Sequence, residues 1–457
     1  MKKTDLLIIG GSAGGILSAT MARKAYGDID ITVIRDTDSV MVPCGIPYIY
    51  GTLRSTSKNV IPDKMLIDAK VNLVIDSVVK IDKENKIVTT KNNDTYNYKK
   101  LIIATGSLPI IPTFIPGYDL ENVFAVYKNQ EYLDSVLEKL DKAQNISVIG
   151  GGFIGVEFAE QISLLGKKVT LFEMADACLW QAFDKSYSDD IENMMKEHGI
   201  SILTNTKVKK ILGENKVEAI ELENGEKVPT DLVILGLGVR PNAILAKKAG
   251  LKVTDNGAIV VDQYTRTSDP DVFAVGDCAE KKCFFTNKDV SVLLASTAAM
   301  EAKIAGCNVF QLRLVRANKG TISAFSTKFF GKTFTAAGLT EARAKEEGFI
   351  INIGEFTTMD RHPGSLPGSQ IINIKLIFAK CSGVILGAQI SGGDTVAEMI
   401  NILSLAIQKG LTATELNTFQ VATHPLVSAS PIAYPINAAA MNAVAQNCNH
   451  LNNELEI

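Results

Sequence analysis

The chain has one tryptophan, four histidines and seven cysteines in 457 residues, and no two cysteines are spaced Cys-x-x-Cys. An odd, scattered set of thiols excludes a disulfide framework and predicts a reducing, cytoplasmic compartment with room for one reactive thiol. The histidines stand at 198, 362, 424 and 450, too scattered to suggest a metal site. An excess of either charge is also missing. Lys and Arg number 47 against 50 Asp and Glu, a net charge of −3, so a nucleic-acid partner has no electrostatic support. No stretch reads as a membrane span. The apolar tract from Val421 to Ala445 is broken by His424, Pro425, Pro431 and Pro435. Lys2 and Lys3 precede an apolar run in the manner of a signal peptide, but Asp5 interrupts it and a glycine-rich turn explains the stretch better.

The content that remains is globular: 46% hydrophobic, 21% charged, with 35 glycines. The length suggests about three domains. One unit occurs twice. The first copy runs from Asp5 through Gly10-Gly-Ser-Ala-Gly-Gly15 and a helical stretch to about Ala25, then Ile31 to Ile34. The second runs from Asn145 through Gly150-Gly-Gly-Phe-Ile-Gly155 and a helix to about Leu165, then Lys168 to Glu173. Each is strand, glycine turn, helix, strand, and the uninterrupted apolar runs suit parallel strands covered by helices. Three further strands end at small-residue turns: Leu101 to Ser107, Asp231 to Gly236, and Asp271 to Asp277. From about Thr327 the pattern changes. Ile371 to Phe378 and Gly383 to Ile390 read as a hairpin, Val396 to Lys409 as a helix, and the polar tail from Asn442 as frayed.

Glycines in such a turn allow the tight reversal, the close approach of a pyrophosphate and the packing of helix on strand, while the helix N-terminus supplies N–H groups. Gly150, Gly152 and Gly155 satisfy G-x-G-x-x-G outright. Glu173, 18 residues beyond Gly155, stands where an acid accepts from the adenosine ribose and repels a 2′-phosphate, which favours NADH over NADPH. The first turn carries Gly10 and Gly15 but Ser12 in the middle position. Its strand ends in Arg35 before Asp36, so either Asp36 binds the ribose or Arg35 makes a different contact to the adenosine half. Cys44, in Met41-Val-Pro-Cys-Gly-Ile-Pro-Tyr48, lies at an expected helix start, where the dipole lowers a thiol pKa. A buried structural cysteine is the alternative reading. Cys278 and Cys283 have the Cys-x4-Cys spacing of a redox pair, but they follow the Gly276-Asp277 strand end, and both read as structural, as do Cys178, Cys307, Cys381 and Cys448.

In this order, the turn at 10–15, Ala104-Thr-Gly106, the turn at 150–155 and Gly276-Asp277 resemble the pyridine nucleotide-disulfide oxidoreductase superfamily over nearly the whole chain. The lone cysteine in Cys44-Gly-Ile-Pro-Tyr48 is similar to the single-cysteine branch of coenzyme A-disulfide reductases, NADH oxidases, NADH peroxidases and NADH-dependent sulfur reductases. The resemblance implies an α/β fold with two Rossmann-like dinucleotide-binding domains plus a C-terminal α+β interface domain. It implies an FAD domain over 1–117 and 239–325, an NAD domain over 118–238, and a dimerisation domain over 326–457. FAD and NADH are the implied cofactors, coenzyme A a further candidate, and a homodimer the implied assembly. Thr105, Gly106 and Asp277 would line the FAD path, Asp277 at the ribityl chain. Phe153 would be the aromatic gate and Glu157 a neighbour of the nicotinamide, against plain helix packing and a solvated face. Coenzyme A-disulfide reductases carry a tyrosine where this chain has Ala422-Thr-His-Pro-Leu-Val-Ser428, which is similar to the His-Pro segment of the two-cysteine branch. His424 is therefore the candidate proton donor across a dimer. Arg361 and His362, with Arg23 and Lys24, are candidates for coenzyme A phosphates against ordinary surface charge. The implied acceptor is first a disulfide or sulfur species and second oxygen or peroxide. A flavin-binding redox sensor without turnover is the alternative from another class.

Overall fold

The computed structural model describes residues 1–315 and 317–454, with side chains as far as 446. The side chains of Cys448 and His450 lie outside the described residues.

The first sheet has the spatial order Asn72–Ile75, Ile31–Arg35, Lys2–Ile9, Thr95–Ile103, Ile87–Thr90, Val78–Asp82, with Val272–Ala274 pairing on Thr95–Ile103. Leu6, Leu7, Ile8 and Ile9 are buried in succession, as a strand covered on both faces requires. The parallel register places Ile9 opposite both Ile34 and Ile103, and Ile103 opposite Ala274. The turn at Gly10, the residue Arg35, the Ala104-Thr105-Gly106 turn and the Gly276-Asp277 turn therefore emerge together at one carboxyl edge, where open parallel sheets bind ligands. The first helix, Ala13–Tyr26, packs on Ala295–Asn308. That approach needs Gly306, since a Cβ there would lie 2.6 Å from the Ser18 carbonyl oxygen.

The second sheet is parallel throughout, in the order Val123–Ala125, Leu232–Leu235, Asn145–Ile149, Lys168–Phe172, Ser201–Leu203. Ile149 lies opposite both Phe172 and Leu235, so Gly150, Glu173 and Gly236 again share a carboxyl edge. The antiparallel pairing of Ser107–Pro109 with Val239–Pro241 ties the chain entering this unit to the chain leaving it.

The third sheet is antiparallel, in the order Phe325–Phe329, Lys332–Gly338, Ile385–Gly392, Ile371–Ala379, Ile351–Met359. The hairpin at 371–392 and the helix Val396–Lys409 form where the sequence pattern puts them. The tail does not fray at Asn442. It continues the helix Pro435–Glu454, and the amides of Asn442 and Gln446 donate to the carbonyls of Glu355 and Ile353 at 2.8 and 2.6 Å. Polar composition misled because these polar groups cap open carbonyls on a neighbouring strand.

Candidate active site

The two glycine turns are built alike. Gly10 has φ +109° and Gly150 φ +108°. A Cβ would fall 2.1 Å from the Ala104 carbonyl oxygen at Gly10 and 2.6 Å from that of Gly236 at Gly150. At the helix side, a Cβ would lie 1.9 Å from the Gly10 carbonyl at Gly15 and 1.8 Å from the Gly150 carbonyl at Gly155. Gly152, the N-cap of the helix Phe153–Ser163, has nothing within 4 Å of its would-be Cβ and opens into the cleft. Ser12 holds the same N-cap place before Ala13–Tyr26, and its hydroxyl makes no cap bond. Two helix N-termini thus present free N–H groups to one cleft, which fits two pyrophosphates.

The strand ends differ. Glu173 is buried, and its carboxylate accepts from the Gly151 and Ala175 amides at 2.6 and 2.7 Å. Arg35 is buried as well. Its guanidinium makes a two-pronged ion pair with Asp63 at 2.5 and 2.8 Å and donates to the carbonyls of Thr37 and Asp38. Arg35 is therefore committed to its own loop, and Asp36, next in the chain, is an exposed acid at the cleft.

The cleft is about 2080 Å³ and is lined by both glycine turns, Thr105, Gly106, Asp277, Phe153, Glu157 and Cys44. Among the described residues Cys44 is the one cysteine that lines it. Its thiol belongs to a short helical turn, Pro43–Gly45, that continues helically to Leu53. Cys44 is exposed to the cleft rather than sealed in the core, yet the cleft walls withdraw enough water from its thiol to outweigh the expected helix-start lowering. Burial pushes the Cys44 thiol up, the charge of Glu157 pushes it further, and its own backbone amide and Lys128 offset only part. Glu157 is itself raised to about 7, chiefly by burial, although the Thr327 hydroxyl donates to it at 2.9 Å. It is not on a solvated face. Phe153 stacks on Phe325 with ring centroids 5.0 Å apart. Asp277 accepts from the Ser107 hydroxyl at 2.7 Å, and Lys128 donates to that same hydroxyl at 3.0 Å. Thr105 donates to the Asn242 carbonyl at 2.6 Å.

Sequence-family comparison matches residues 4–302 to the pyridine nucleotide-disulphide oxidoreductase model and 324–432 to the dimerisation domain of the same family. The chain belongs to the pyridine nucleotide-disulphide oxidoreductase family. An NADH oxidase of Methanocaldococcus jannaschii is 31% identical over 456 residues, covering 97% of this chain and 99% of that one. An NAD(P)H coenzyme A polysulfide/persulfide reductase of Pyrococcus horikoshii is 30% identical, covering 90% and 92%. The NAD-dependent persulfide reductase structure from A. fulgidus superposes with a TM-score of 0.88 at 33% identity, covering 98% of this chain and 84% of that one. The protein is thus an α/β oxidoreductase of Rossmann type, from a family that uses FAD and NAD(P)H.

Within this family member, the sequence reading missed a buried ion pair beneath the Gly276-Asp277 turn. Lys281 and Glu301 have side chains 2% and 1% exposed and lie 3.1 Å apart. Glu301 accepts from the Gly276 amide at 2.8 Å, and Lys281 donates to the Gly276 and Ala279 carbonyls at 2.8 and 2.9 Å. The pair holds both ends of the turn that carries Asp277. A lysine five residues past a Gly, and a glutamate in an Ala-rich helix, are weak signals until packing joins them. Lys128 was missed for the same reason.

Other candidates are placed away from the cleft. His424 is exposed, takes an amide bond from Leu426 at 3.3 Å, and lines a separate 370 Å³ pocket in the dimerisation region. His362 faces the same loop, with Nδ1 3.0 Å from the Ser428 carbonyl. Arg361 donates to the Pro367 carbonyl. Arg23 is no phosphate ligand: its guanidinium donates to the carbonyls of Ala69, Gly27, Ile29 and Lys70, closing the end of its own helix. Cys178 and Cys278 are buried, whereas Cys381 is exposed. Among the described residues no helix is long and apolar enough to cross a membrane.

Proposed function

We propose that this chain moves electrons from NADH to a disulfide, persulfide or polysulfide bound at Cys44. The carrying observation is that Cys44 alone among the described thiols lines the cleft shared by both glycine turns. In this reading Gly10, Ser12, Gly15 and Asp36 hold the adenosine diphosphate half of FAD. Thr105, Gly106 and Asp277 hold the rest. The turn Gly150, Gly152, Gly155 with Glu173 holds NADH, and Phe153 and Glu157 lie at the nicotinamide end. Strand pairing supports the division into 1–117 with 239–325, 118–238, and 326–457. Bound FAD supplies a two-electron connection between a nicotinamide hydride and a thiol.

The thiolate of Cys44 attacks one sulfur of the acceptor, the sulfur–sulfur bond breaks, and the second sulfur leaves as thiolate. That leaving group needs a proton. Exposed Leu426 and Val427 next to His424, with exposed Ile432 further along the same segment, favour a homodimer, with the partner subunit's His424 as the proton donor. Lys128 offsets the negative charge of Glu157 at the thiol. No coenzyme A phosphate site is assigned: Arg23 and Arg361 donate to backbone carbonyls and His362 faces the Ser428 carbonyl, which leaves Lys24 as a lone surface charge. A second reading, reduction of oxygen or peroxide through a Cys44 sulfenic acid, is favoured by the NADH oxidase relative of full length.

Anaerobic enzyme reduced with NADH and then mixed in turn with coenzyme A disulfide, polysulfide, oxygen and peroxide identifies the acceptor. Cys44→Ser should keep FAD and its reduction by NADH while sulfur turnover collapses. Wild-type turnover by Cys44→Ser with every acceptor overturns the thiol mechanism. Slow reoxidation by every acceptor would favour the redox-sensor reading instead.

A further inference from the structure

The end of the strand Lys168–Phe172 leads into a segment whose backbone is pinned at several points while Met174, Asp176, Trp180 and Gln181 stay exposed. The Glu173 carboxylate holds the Gly151 and Ala175 amides. The Cys178 amide donates to Glu192 at 2.9 Å. The Leu179 amide donates to the Gly151 carbonyl at 2.9 Å, and the Leu179 carbonyl accepts from the Ala182 and Phe183 amides. Leu179, Ala182 and Phe183 are buried at 3, 6 and 2% exposure, yet Trp180 between them is 52% exposed and lines the cleft. Leu179 stands at φ +56°, a conformation that a bulky residue adopts only when its surroundings impose it. The result of that reversal is an indole turned out beside the nucleotide turn. Met174, 68% exposed, also lines the cleft.

A dinucleotide with its pyrophosphate at Gly152 and a ribose at Glu173 has its adenine one glycosidic bond further on. Adenine is a flat π-system that gains from an aromatic face and a polarisable thioether. We infer that Trp180 and Met174 form the adenine platform of the nicotinamide-nucleotide site and that Trp180 sets its affinity. The inference rests on the assignment of NADH to the second turn. Trp180 is a binding residue away from the reacting atoms, so its loss weakens ground state and transition state alike.

Because Trp180 is the only tryptophan of the chain, its emission reports on this spot alone. FAD-loaded protein is titrated with ADP-ribose, which has the adenine, ribose and pyrophosphate but no nicotinamide to reduce. The expected result is a saturable change in tryptophan emission with the midpoint found by calorimetry. Trp180→Ala should weaken ADP-ribose by about 5- to 100-fold, in the range of base–aromatic stacking, and raise the KM for NADH by the same factor at constant kcat. Trp180→Phe should restore most of the affinity, and Trp180→Leu, apolar but without a π-face, should not. Unchanged FAD absorbance and circular dichroism establish that a variant is folded. If ADP-ribose binds by calorimetry while emission stays flat, and both Trp180→Leu and Trp180→Ala bind like wild type, the platform is wrong and the nucleotide site stands. If ADP-ribose does not bind and NADH does not reduce the flavin, both readings fall.

Discussion

At the first glycine turn the chain leaves the second strand through Arg35, and at the second turn through Glu173, one residue past Phe172. The registers make them equivalents: the Gly10 amide donates to Ile34 and the Gly150 amide to Phe172, both at 2.8 Å. Each side chain packs against the second glycine of its turn. A Cβ on Gly11 would lie 2.6 Å from Arg35 Cδ, and one on Gly151 would lie 2.9 Å from Glu173 Oε2. The chemistry then diverges. Glu173 turns its carboxylate to the turn and the cleft, whereas Arg35 turns away and locks Asp63. Ser12 stands for Gly152, and on the following helix Leu17 stands for Glu157. One scaffold thus accepts opposite charges at the same place, and the ligand preference lives in a few side chains around a shared backbone.

The largest effects come from breaking that shared backbone at one turn only. Gly15→Ala and Gly155→Ala each drive a methyl into a carbonyl less than 2 Å away. The neighbour is backbone, so the helix must shift on its strand. Gly15→Ala should yield protein without flavin. Gly155→Ala should remain yellow but lose roughly 100-fold in kcat/KM for NADH, the scale of an ångström misplacement. Flavin absorbance and NADH titration separate the two, and loss of flavin from both variants would mean that the turns are not independent sites.

The charge at the strand end gives a smaller effect. Glu173→Gln keeps one acceptor oxygen for the turn amides and removes the charge that would repel a 2′-phosphate. The kcat/KM ratio of NADH to NADPH should fall by about 10-fold, the worth of one charge-assisted bond. An unchanged ratio would assign Glu173 to turn geometry alone.

These contrasts explain what could be read from the sequence. The turns, the paired units, the hairpin at 371–392 and the helix Val396–Lys409 rest on local spacing, which a chain displays openly. The environment of Cys44 does not. It depends first on burial against the cleft walls and then on the charges of Glu157, Lys128 and Asp277, which are 84 to 233 residues away, and burial with Glu157 and Asp277 outweighs Lys128 and reverses the helix-start expectation. Arg35 was ambiguous because its partner, Asp63, comes from another loop. Lys281 and Glu301 become a pair only when the helix Ala295–Asn308 packs under the Gly276 turn. His424 was visible as a residue, but its distance from the thiol-bearing cleft belongs to the tertiary structure.

Glu157, the counterpart of Leu17, gives the second unit a pH dependence that the first lacks. Its folded pKa of about 7 lies above the ordinary carboxyl value of 4.5 because burial favours the neutral acid. The folded state therefore holds a proton that the unfolded chain has released between those values. Stability from this group is complete below 4.5 and declines as pH rises through 7. Glu157→Gln should flatten that decline in thermal unfolding between pH 5 and 8. It should also move the pH profile of Cys44 alkylation downward, since the Glu157 charge is one of the causes raising the thiol. Identical profiles in wild type and variant would remove Glu157 from both roles.

The smallest effect is expected where the turns differ most visibly in sequence. Ser12→Gly converts the first turn to the G-x-G-x-x-G form of the second. Loss of a serine N-cap to alanine commonly costs about 1 kcal/mol, but replacement by glycine costs only a few tenths, because glycine leaves the helix N–H groups open to solvent or ligand. Ser12 makes no side-chain cap bond, so even that small contribution is missing from the protein alone. Its φ of −98° is ordinary for any residue, so glycine relieves no strain. Ser12→Gly should therefore leave the unfolding midpoint and the nicotinamide preference unchanged. The dissociation constant of FAD decides what the hydroxyl does. A value within about 2-fold of wild type makes Ser12 a tolerated stand-in for glycine. A loss of about 10-fold makes its hydroxyl a hydrogen-bond donor to the FAD pyrophosphate, worth one bond to a charged group, and the first turn would then bind with a side chain where the second binds with backbone alone.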